Sequence, residues 1–376
     1  MEGCDGKKMR IAFLAGLSDE KLRQKLAPLS TASNVARIDL FRRNGAEDLP
    51  EKVEWRPVPH ALRNIEPAAE LARALDILAN AGKYDAIIGC FQRWHGVWAR
   101  VAGKTWKVPV IQLVITSVEW NLERPLCKKV MFDATACGVR GETSKRALRD
   151  AGYEGPLEVI HNAFDGWRRH RGSAETAPWR HDIVAAADFA EEKDYPWMLE
   201  ILAELKKSVP GFKAALCGAE LAEKLAAPAK KLGLADNIDF TGRLNEAELA
   251  KTMATAKRFL STSKTEGLPQ AALEAISIGL PCALTDVGDC RTVVGDDGTG
   301  GTLVRHGDTK TMVGTLVSAL RASPAELADA SKKAEKRFAE LAPDFTEGKI
   351  AERWDSLLDA TIRAWRLGSR AGNLKR

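Results

Sequence analysis

Short apolar runs alternate with longer amphipathic stretches along the first half of the chain. The stretches between the runs, such as PAAELARALDILANAG and TSKRALRDAGY, have the periodicity of helices. Near-continuous apolar strands joined by helices are typical of a parallel sheet that is covered on both faces. The pattern therefore predicts a doubly wound α/β fold. The apolar runs lie at residues 9–16, 35–41, 84–90, 108–115 and 157–164.

The alternation stops at residues 165–182, which are polar and contain Gly, Ser and Pro, as a linker or surface loop does. It then restarts, which predicts a second α/β domain of similar size. The final stretch again has helical spacing of its apolar residues. We therefore predict a first domain at 1–168, a second at 169–345, and a C-terminal helix with a basic tail at 346–376. The apolar runs of the second domain lie at residues 182–188, 212–218, 237–242, 257–263, 280–286 and 300–304.

The bulk composition agrees with two domains of a cytosolic protein. A chain of 376 residues favours two domains at about 100–200 residues each. No apolar run approaches the roughly 18–20 residues of a membrane-spanning helix. The first run is too short for a signal peptide, since Asp19 and Glu20 follow it, so it is interpreted as a buried strand. The seven cysteines form no CxxC pair, as expected for buried free thiols in a reducing compartment.

The net charge of +5 is mild. It is compatible with attraction to phosphates or to the inner face of an anionic membrane, and it requires neither. Peripheral contact with a membrane therefore stays open, and no nucleic-acid partner is predicted.

The segment from Ser261 to Gly288 has the strongest indication of chemistry. A strand ends near Leu260, small polar residues and Glu266 follow, and a helix begins near Pro269. Helix N-termini with a nearby glycine bind anions through free backbone N–H groups. Glu266 and Glu274 are placed to approach one ligand over the helix start, as a nucleoside diphosphate sugar requires. An ordinary capping preference for Glu near a helix start explains the same residues equally well.

This run resembles the E-x7-E motif of retaining glycosyltransferases of the GT-B fold, family 4, or glycosyl transferases group 1. Glu266-Gly267-Leu268-Pro269 and Leu273-Glu274-Ala275 carry the resemblance. It covers most of the chain and is strongest from about 182 to 305. It implies two Rossmann-like domains facing across a cleft, with the C-terminal helix crossing back to the first domain. Further similar segments in the family's order are ACGVRGETSKRALRDAGY, LEVIHNAFD and KKLGLADNIDFTGRLNEAELAKTMATAKRFLSTS.

The resemblance also implies roles for individual residues of the second domain. Glu274 corresponds to the residue that binds the ribose hydroxyls, Glu266 contacts the transferred sugar as a catalytic residue, and Lys193 binds the donor diphosphate. The family's second phosphate-binding cation is replaced by Asp188, which puts the two-cation clamp in doubt. The remaining donor-site residues implied by the resemblance are Phe240, Gly242 and Arg243 near the base, and Gly267, Leu268 and Pro269 near the diphosphate and sugar.

Two positions of the first domain are candidates for the substrate site. Gly16 ends the first strand, where its backbone would face the donor phosphates or the acceptor, although a plain turn is equally compatible. His95 lies at a loop-to-helix junction on the carboxyl side of a strand and is predicted as a catalytic residue. Its alternative is a packing position under Trp94. No G-x-G-x-x-G follows the first strand, which argues against a dinucleotide oxidoreductase.

The resemblance implies transfer of a sugar from a nucleoside diphosphate donor to an acceptor hydroxyl, with retention of configuration. It implies no cofactor beyond the nucleotide-sugar donor and no metal. The donor nucleotide, UDP or GDP, and the acceptor, a glycan, a lipid-linked sugar or a small molecule, stay open. One alternative is a sugar-nucleotide 2-epimerase of the same fold, which needs acid and base residues that the sequence does not identify. Another is a non-enzymatic two-domain binding protein of periplasmic type, which needs an export signal.

Overall fold

The computed structural model describes residues 8–166 and 179–373. Most of the linker predicted at 165–182 lies outside the described residues. The chain divides into two compact units. Unit 1 is Met1–Phe164 together with Asp344–Arg376, and unit 2 is Asp165–Pro343. The predicted boundaries at 168 and 345, as limits of independently folding domains, stay predictions.

Unit 1 contains a seven-stranded parallel sheet. Its strands are β1 (Met9–Leu14), β2 (Val35–Phe41), β3 (Val53–Arg56), β4 (Ala86–Cys90), β5 (Val110–Leu113), β6 (Ala136–Val139) and β7 (Leu157–Val159). They lie in the order β3-β2-β1-β4-β5-β6-β7, and every pairing is parallel. The sheet order reverses between β1 and β4, which is the switch point of a doubly wound fold.

The helices of unit 1 lie between these strands, with one further helix at the end of the chain. They are α1 (Asp19–Thr31), α2 (Glu66–Asn80), α3 (Trp94–Trp106), α4 (Val118–Leu122), α5 (Pro125–Phe132) and α6 (Glu142–Asp150). Short 3-10 turns at His60–Leu62 and Ala81–Lys83 flank α2. The chain's last helix, numbered α14 below, also belongs to this unit.

Unit 2 contains a six-stranded parallel sheet in the order β10-β9-β8-β11-β12-β13. The strands are β8 (His181–Ala186), β9 (Ala214–Cys217), β10 (Ile238–Gly242), β11 (Ala256–Ser261), β12 (Cys282–Thr285) and β13 (Gly301–Val304). The helices are α7 (Tyr195–Ser208), α8 (Leu221–Lys231), α9 (Glu246–Ala254), α10 (Gln270–Ser277), α11 (Cys290–Val294), α12 (Thr309–Arg321) and α13 (Pro324–Leu341). All six apolar runs predicted for this domain are confirmed as strands.

Two strands of unit 1 were not predicted. β3 is the edge strand and is buried only at Val53, so it lacks a continuous apolar run. β6 is buried throughout, but its first three residues are Ala136, Cys137 and Gly138, which give a weak hydrophobic pattern. The six cysteines in the described part of the chain are buried and form no disulfide, as predicted.

The last helix, α14 (Glu347–Asn373), packs on α1 and thereby returns to unit 1, as expected. Trp354 is fully buried in one core cluster with Ile11, Phe13 and Leu26. The Asp355 carboxylate accepts hydrogen bonds from the backbone N–H groups of the turn after α1. The core of unit 1 is therefore built from both ends of the chain.

Replacing Trp354 by Ala should lower the free energy of unfolding of unit 1 by about 3–5 kcal/mol, because the change leaves a large cavity between α14 and the sheet. Chemical denaturation followed by circular dichroism measures the loss. Leu367→Ala, on the same helix but exposed, is the matched control and should stay within about 0.5 kcal/mol of the wild type. Equal stability of both variants would contradict the packing described for Trp354.

Candidate functional site

Two loops meet at the carboxyl edge of the unit 2 sheet, one after β8 and one after β11. These strands are neighbours in the sheet although they lie far apart in sequence. The Thr262 hydroxyl donates to the Lys193 carbonyl oxygen at 3.0 Å. The Lys264 backbone N–H donates to the Glu192 carbonyl oxygen at 2.8 Å. The two loops are thus joined by their backbones.

Glu266 and Lys193 form an ion pair across these loops. Lys193 Nζ lies 2.6 Å from Glu266 Oε1, and the Ser263 hydroxyl donates to the same oxygen at 2.7 Å. Only 12% of the Glu266 side chain is exposed. Burial limits screening by water, so this pair is stronger than one on an open surface. The structure therefore brings together two of the predicted site residues, one cation and one carboxylate.

The Glu266 loop is covered closely by the loop after β12. Gly288 has φ +51, and a Cβ there would lie 2.0 Å from the Glu266 carbonyl oxygen, so only glycine fits. The Asp289 N–H donates to the Gly267 carbonyl oxygen at 3.0 Å. This contact fixes the path of Gly267 and Leu268 toward the start of α10.

Helix α10 begins at Gln270, one residue after Pro269, which is its N-cap. This agrees with the predicted helix start. Glu274 lies in the second turn and is buried, as is Leu268 in the preceding loop. The N-terminus of α10 therefore follows directly on the loop that carries Glu266, in the strand–loop–helix arrangement predicted from the sequence.

Asp188 and Arg243 are ion-paired with each other at the ends of β8 and β10. The Asp188 carboxylate also accepts a hydrogen bond of 2.9 Å from the backbone N–H of Ala219, just after β9. Asp188 therefore holds Arg243 beside Gly242, at the carboxyl end of β10. The position that departs from the family pattern is thus the anchor of the other predicted cation.

Asp194 holds the loop that contains Lys193. Its backbone is left-handed, with φ +47, and 11% of its side chain is exposed. His306 Nε2, in the loop after β13, lies 2.9 Å from its carboxylate, and Lys264 Nζ lies 3.6 Å away. His306 in turn packs against Trp197 of α7. These contacts offset the cost of a left-handed residue next to Lys193.

The side-chain contacts of Asp194 and its left-handed backbone both affect stability, and two substitutions distinguish their effects. Asp194→Ala should lower the stability of unit 2 by about 1–3 kcal/mol, since it removes the carboxylate that contacts His306 and Lys264 and keeps the left-handed strain. Asp194→Gly removes the same carboxylate but relieves the strain, so we expect it to be about 1 kcal/mol more stable than Asp194→Ala. Thermal unfolding measures both. An alanine variant as stable as the glycine variant would contradict the left-handed backbone.

In unit 1, Gly16 and His95 lie side by side although they are far apart in sequence. A Cβ on Gly16 would lie 2.9 Å from His95 Cε1. His95 Nε2 lies 3.4 Å from Arg73 Nη1, and Arg73 is ion-paired with Glu70 on α2. The alternative, a packing position under Trp94, stays open, although Trp94 itself is largely exposed. The imidazole lies against the end of β1.

Burial and the neighbouring Arg73 charge lower the pKa of His95 to about 4. The ring is therefore neutral at pH 7 and serves as a hydrogen-bonding group without charge. Because folding lowers this pKa, protonation of the His95 ring below about pH 6.5 favours the unfolded state. The free energy of unfolding is therefore highest above about pH 6.5 and decreases as the pH falls from there toward about 4.

This value predicts that the His95 ring stays neutral at pH 6. NMR titration of the His95 Cε1 proton measures it. Arg73→Gln should raise the midpoint of His95, because it removes one of the two causes of the lowered pKa. A His95 midpoint near 6.5 in the wild type would contradict the buried position.

The polar residues after β5 form hydrogen bonds within their own loop and the helix that follows. The Ser117 hydroxyl caps α4 by accepting a hydrogen bond from the Trp120 N–H, and the Thr116 hydroxyl accepts one from the Asn121 side-chain amide. Arg124 lies over the Trp120 ring at 3.4 Å from its centroid. One face of the Trp120 ring is therefore covered by Arg124.

Residues 169–337 match the family model described as Glycosyl transferases group 1. This segment is nearly the whole of unit 2. Unit 2 is therefore similar to the glycosyl transferases group 1 family over this segment. The GDP-mannose:cellobiosyl-diphosphopolyprenol alpha-mannosyltransferase of Komagataeibacter xylinus is 30% identical over 136 residues, which are 35% of this chain and 34% of that relative. The putative glycosyltransferase EpsF of Bacillus subtilis (strain 168) is 32% identical over 105 residues, 28% and 27% of the two chains. The matched segments thus span about a third or less of these relatives.

Two solved structures share the fold over 93% or more of this chain. Anabaena Alr3699/HepE in complex with UDP-glucose has a TM-score of 0.72 at 17% identity, covering 94% of this chain and 100% of that one. WaaG, a glycosyltransferase involved in lipopolysaccharide biosynthesis, has a TM-score of 0.68 at 17% identity, with 93% and 99% covered. The predicted GT-B fold, with two Rossmann-like domains, is confirmed.

Several residues that contact the predicted site residues were missed in the sequence. Asp194 and His306 were missed because a left-handed residue at 194 is visible only in the backbone, although an acidic residue next to the predicted Lys193 was a signal. Arg73 was missed because it lies within an ordinary amphipathic helix. In the described part of the chain, no group of three or more His, Cys, Asp or Glu side chains is placed to hold a metal. Among the same residues, no helix has the length and apolar character to cross a membrane.

Proposed function

We propose that the protein transfers a sugar from a nucleoside diphosphate sugar to an acceptor hydroxyl with retention of anomeric configuration. The observation that carries the proposal is the Lys193–Glu266–Ser263 cluster at the start of α10. Breaking the bond between the anomeric carbon and the phosphate oxygen leaves negative charge on the diphosphate. A cation and a helix N-terminus stabilise that charge where it develops.

Each residue of the cluster has a role in this reaction. Lys193 exchanges its Glu266 partner for the diphosphate oxygens, so the ammonium keeps an anionic partner throughout. Glu266, released from the lysine, accepts hydrogen bonds from hydroxyls of the transferred sugar. Glu274 accepts hydrogen bonds from the ribose hydroxyls, and the backbone of Gly267, Leu268 and Pro269 lies along the diphosphate. The new bond forms between the anomeric carbon and the acceptor oxygen, whose proton passes to the departing diphosphate.

Arg243, Gly242 and Phe240 are proposed to line the nucleobase side of this site. Asp188 holds Arg243 at the end of β10 and neutralises it. Arg243 therefore positions the base or a ribose hydroxyl, and Lys193 is the main cation for the diphosphate. We propose that no metal is needed for this charge neutralisation.

In unit 1, we propose that Gly16 and His95 belong to the substrate site. The neutral His95 imidazole hydrogen-bonds a substrate hydroxyl, and the absence of a side chain at Gly16 leaves room for that contact. A lipid-linked diphosphate sugar is the acceptor class favoured by the name of the Komagataeibacter xylinus relative, which names cellobiosyl-diphosphopolyprenol.

A panel of nucleoside diphosphates and their sugars, assayed by thermal shift, tests the donor. The matching nucleotide at a hundredfold its Kd should stabilise the protein by about 2.7 kcal/mol. Glu274→Ala should lose most of that stabilisation, and Lys193→Met should lower kcat/KM by about 100-fold. Glu266→Gln should mainly lower kcat, because its contact is with the reacting sugar.

Lys207→Met on α7 is the matched control for Lys193→Met, since Lys207 is exposed and pairs only locally with Glu204. It should keep full activity. NMR of the product gives its anomeric configuration. An inverted product would overturn retention alone, release of an epimerised sugar would favour the epimerase, and no response to any nucleotide would overturn the proposal.

A further inference from the structure

Asp194 stands at the N-cap position of α7, directly after Lys193, yet its side chain does not cap that helix. Aspartate is a preferred N-cap residue, because its carboxylate accepts a hydrogen bond from an N–H of the first helical turn. An N-cap residue ordinarily has an extended backbone, whereas Asp194 has φ +47 and ψ +51. The residue therefore departs from two local preferences at once, which requires contacts from elsewhere in the fold.

The Asp194 carboxylate is directed to the loop after β13 and to the loop after β11. His306 Nε2 lies 2.9 Å from its Oδ2, and Lys264 Nζ lies 3.6 Å from its Oδ1. The Lys264 contact is longer, and 47% of the lysine side chain is exposed, against 33% for His306. Solvent therefore weakens the lysine contact more. Since a carboxylate oxygen accepts, His306 donates from Nε2 and is the main partner of Asp194.

The His306 ring has a fixed orientation. It packs against the Trp197 ring of α7, with the two centroids 4.6 Å apart. Trp197 is itself buried, and its Nε1 donates to the Thr309 hydroxyl at the start of α12 at 2.8 Å. His306 lies three residues before Thr309, so both its ring and the chain that carries it contact α7. It is therefore a fixed hydrogen-bond donor and not a freely rotating surface side chain.

The Lys193 backbone is held from a second direction by Thr262. The buried Thr262 hydroxyl lies 3.0 Å from the Lys193 carbonyl oxygen and 3.3 Å from that of Asp194. Thr262 thus fixes the carbonyl side of the loop, while His306 fixes the side chain of Asp194. With its backbone held in this way, the Lys193 ammonium can leave Glu266 for another anion by rotation of the side chain alone.

We infer that His306 is a positioning residue of the donor site, which acts on Lys193 through Asp194. The inference rests on the proposed function, in which Lys193 exchanges Glu266 for the diphosphate oxygens. Without the His306 donor, the Asp194 carboxylate can turn back to cap α7 and its backbone can leave the left-handed region. Both changes are favourable for the loop itself, and both displace Lys193 from the position that the donor requires. His306 itself is not proposed to contact the donor.

A comparison of nucleoside diphosphate and nucleoside monophosphate binding tests this role. Isothermal titration measures the Kd of both, for the base that stabilises the wild-type protein in the thermal-shift panel. His306→Leu keeps an apolar side chain against Trp197 but removes the donor. It should weaken diphosphate binding about tenfold, because the Lys193 contact is a charge-assisted hydrogen bond. Monophosphate binding should stay within about twofold, since this ligand lacks the second phosphate.

Two further variants distinguish positioning from a general structural role. His306→Gln, whose side-chain amide can donate to Asp194, should bind the diphosphate within about threefold of the wild type. In a Lys193→Met background, His306→Leu should cause no further loss beyond about twofold, because a residue that acts only through Lys193 has no effect without it.

His181→Leu is the matched control. His181 also pairs with an aspartate in unit 2, with its Nε2 3.6 Å from Asp239 Oδ2, but it lies at the start of β8, on the opposite edge of the sheet. This variant should bind both nucleotides as the wild type does. Circular dichroism and thermal unfolding check that each variant is folded.

Four results would overturn the positioning role alone: an unchanged diphosphate Kd in His306→Leu, an equal loss of both nucleotides, a loss in His306→Gln as large as in His306→Leu, or a further loss in the Lys193→Met background. A wild-type protein that binds no nucleotide would overturn the proposed function, and the positioning role with it. The two failures are distinguished because the second is seen before any variant is compared.

Discussion

Parallel pairing of every strand is the constraint on which the rest of this molecule depends. In each sheet all strands end at the same edge, and the loops that follow them must satisfy their polar groups there. Strand order then decides which loops meet. Because β8 and β11 are neighbours, Lys193 Nζ lies 2.6 Å from Glu266 Oε1, although the two residues are 73 positions apart in the sequence. The close cover of Gly288 on the Glu266 carbonyl follows from the next pairing, β11 with β12.

Much of this could be predicted from the sequence, and the failures have physical causes. The strands of unit 2 are buried apolar runs, and so each was visible. The edge strand β3 is half exposed, and β6 is built from small residues, so neither gave a signal. The residues of the predicted donor site came from family resemblance, but the ion pair between Lys193 and Glu266 depends on strand order, which hydrophobic periodicity does not contain. The left-handed backbone of Asp194 is likewise a property of the loop and not of the residue type.

The predicted site residues of the two units differ in charge. At the carboxyl edge of the unit 2 sheet they are ionised and paired, Lys193 with Glu266 and Arg243 with Asp188. In unit 1, His95 is neutral, because burial and Arg73 lower its pKa to about 4. A site for a charged diphosphate needs cations that can change partner, whereas a site for a neutral hydroxyl needs polar groups that carry no charge. The contrast fits the proposed division between a donor side and a substrate side.

The return of α14 to unit 1 has a consequence for synthesis on the ribosome. Ile11 and Trp354 share one core, so the first unit lacks part of its interior until the last helix has emerged. Unit 2 is a single continuous segment between the two parts. The N-terminal domain usually folds first during synthesis. Here all of unit 2 is synthesised before α14, so the core of unit 2 can form before that of unit 1.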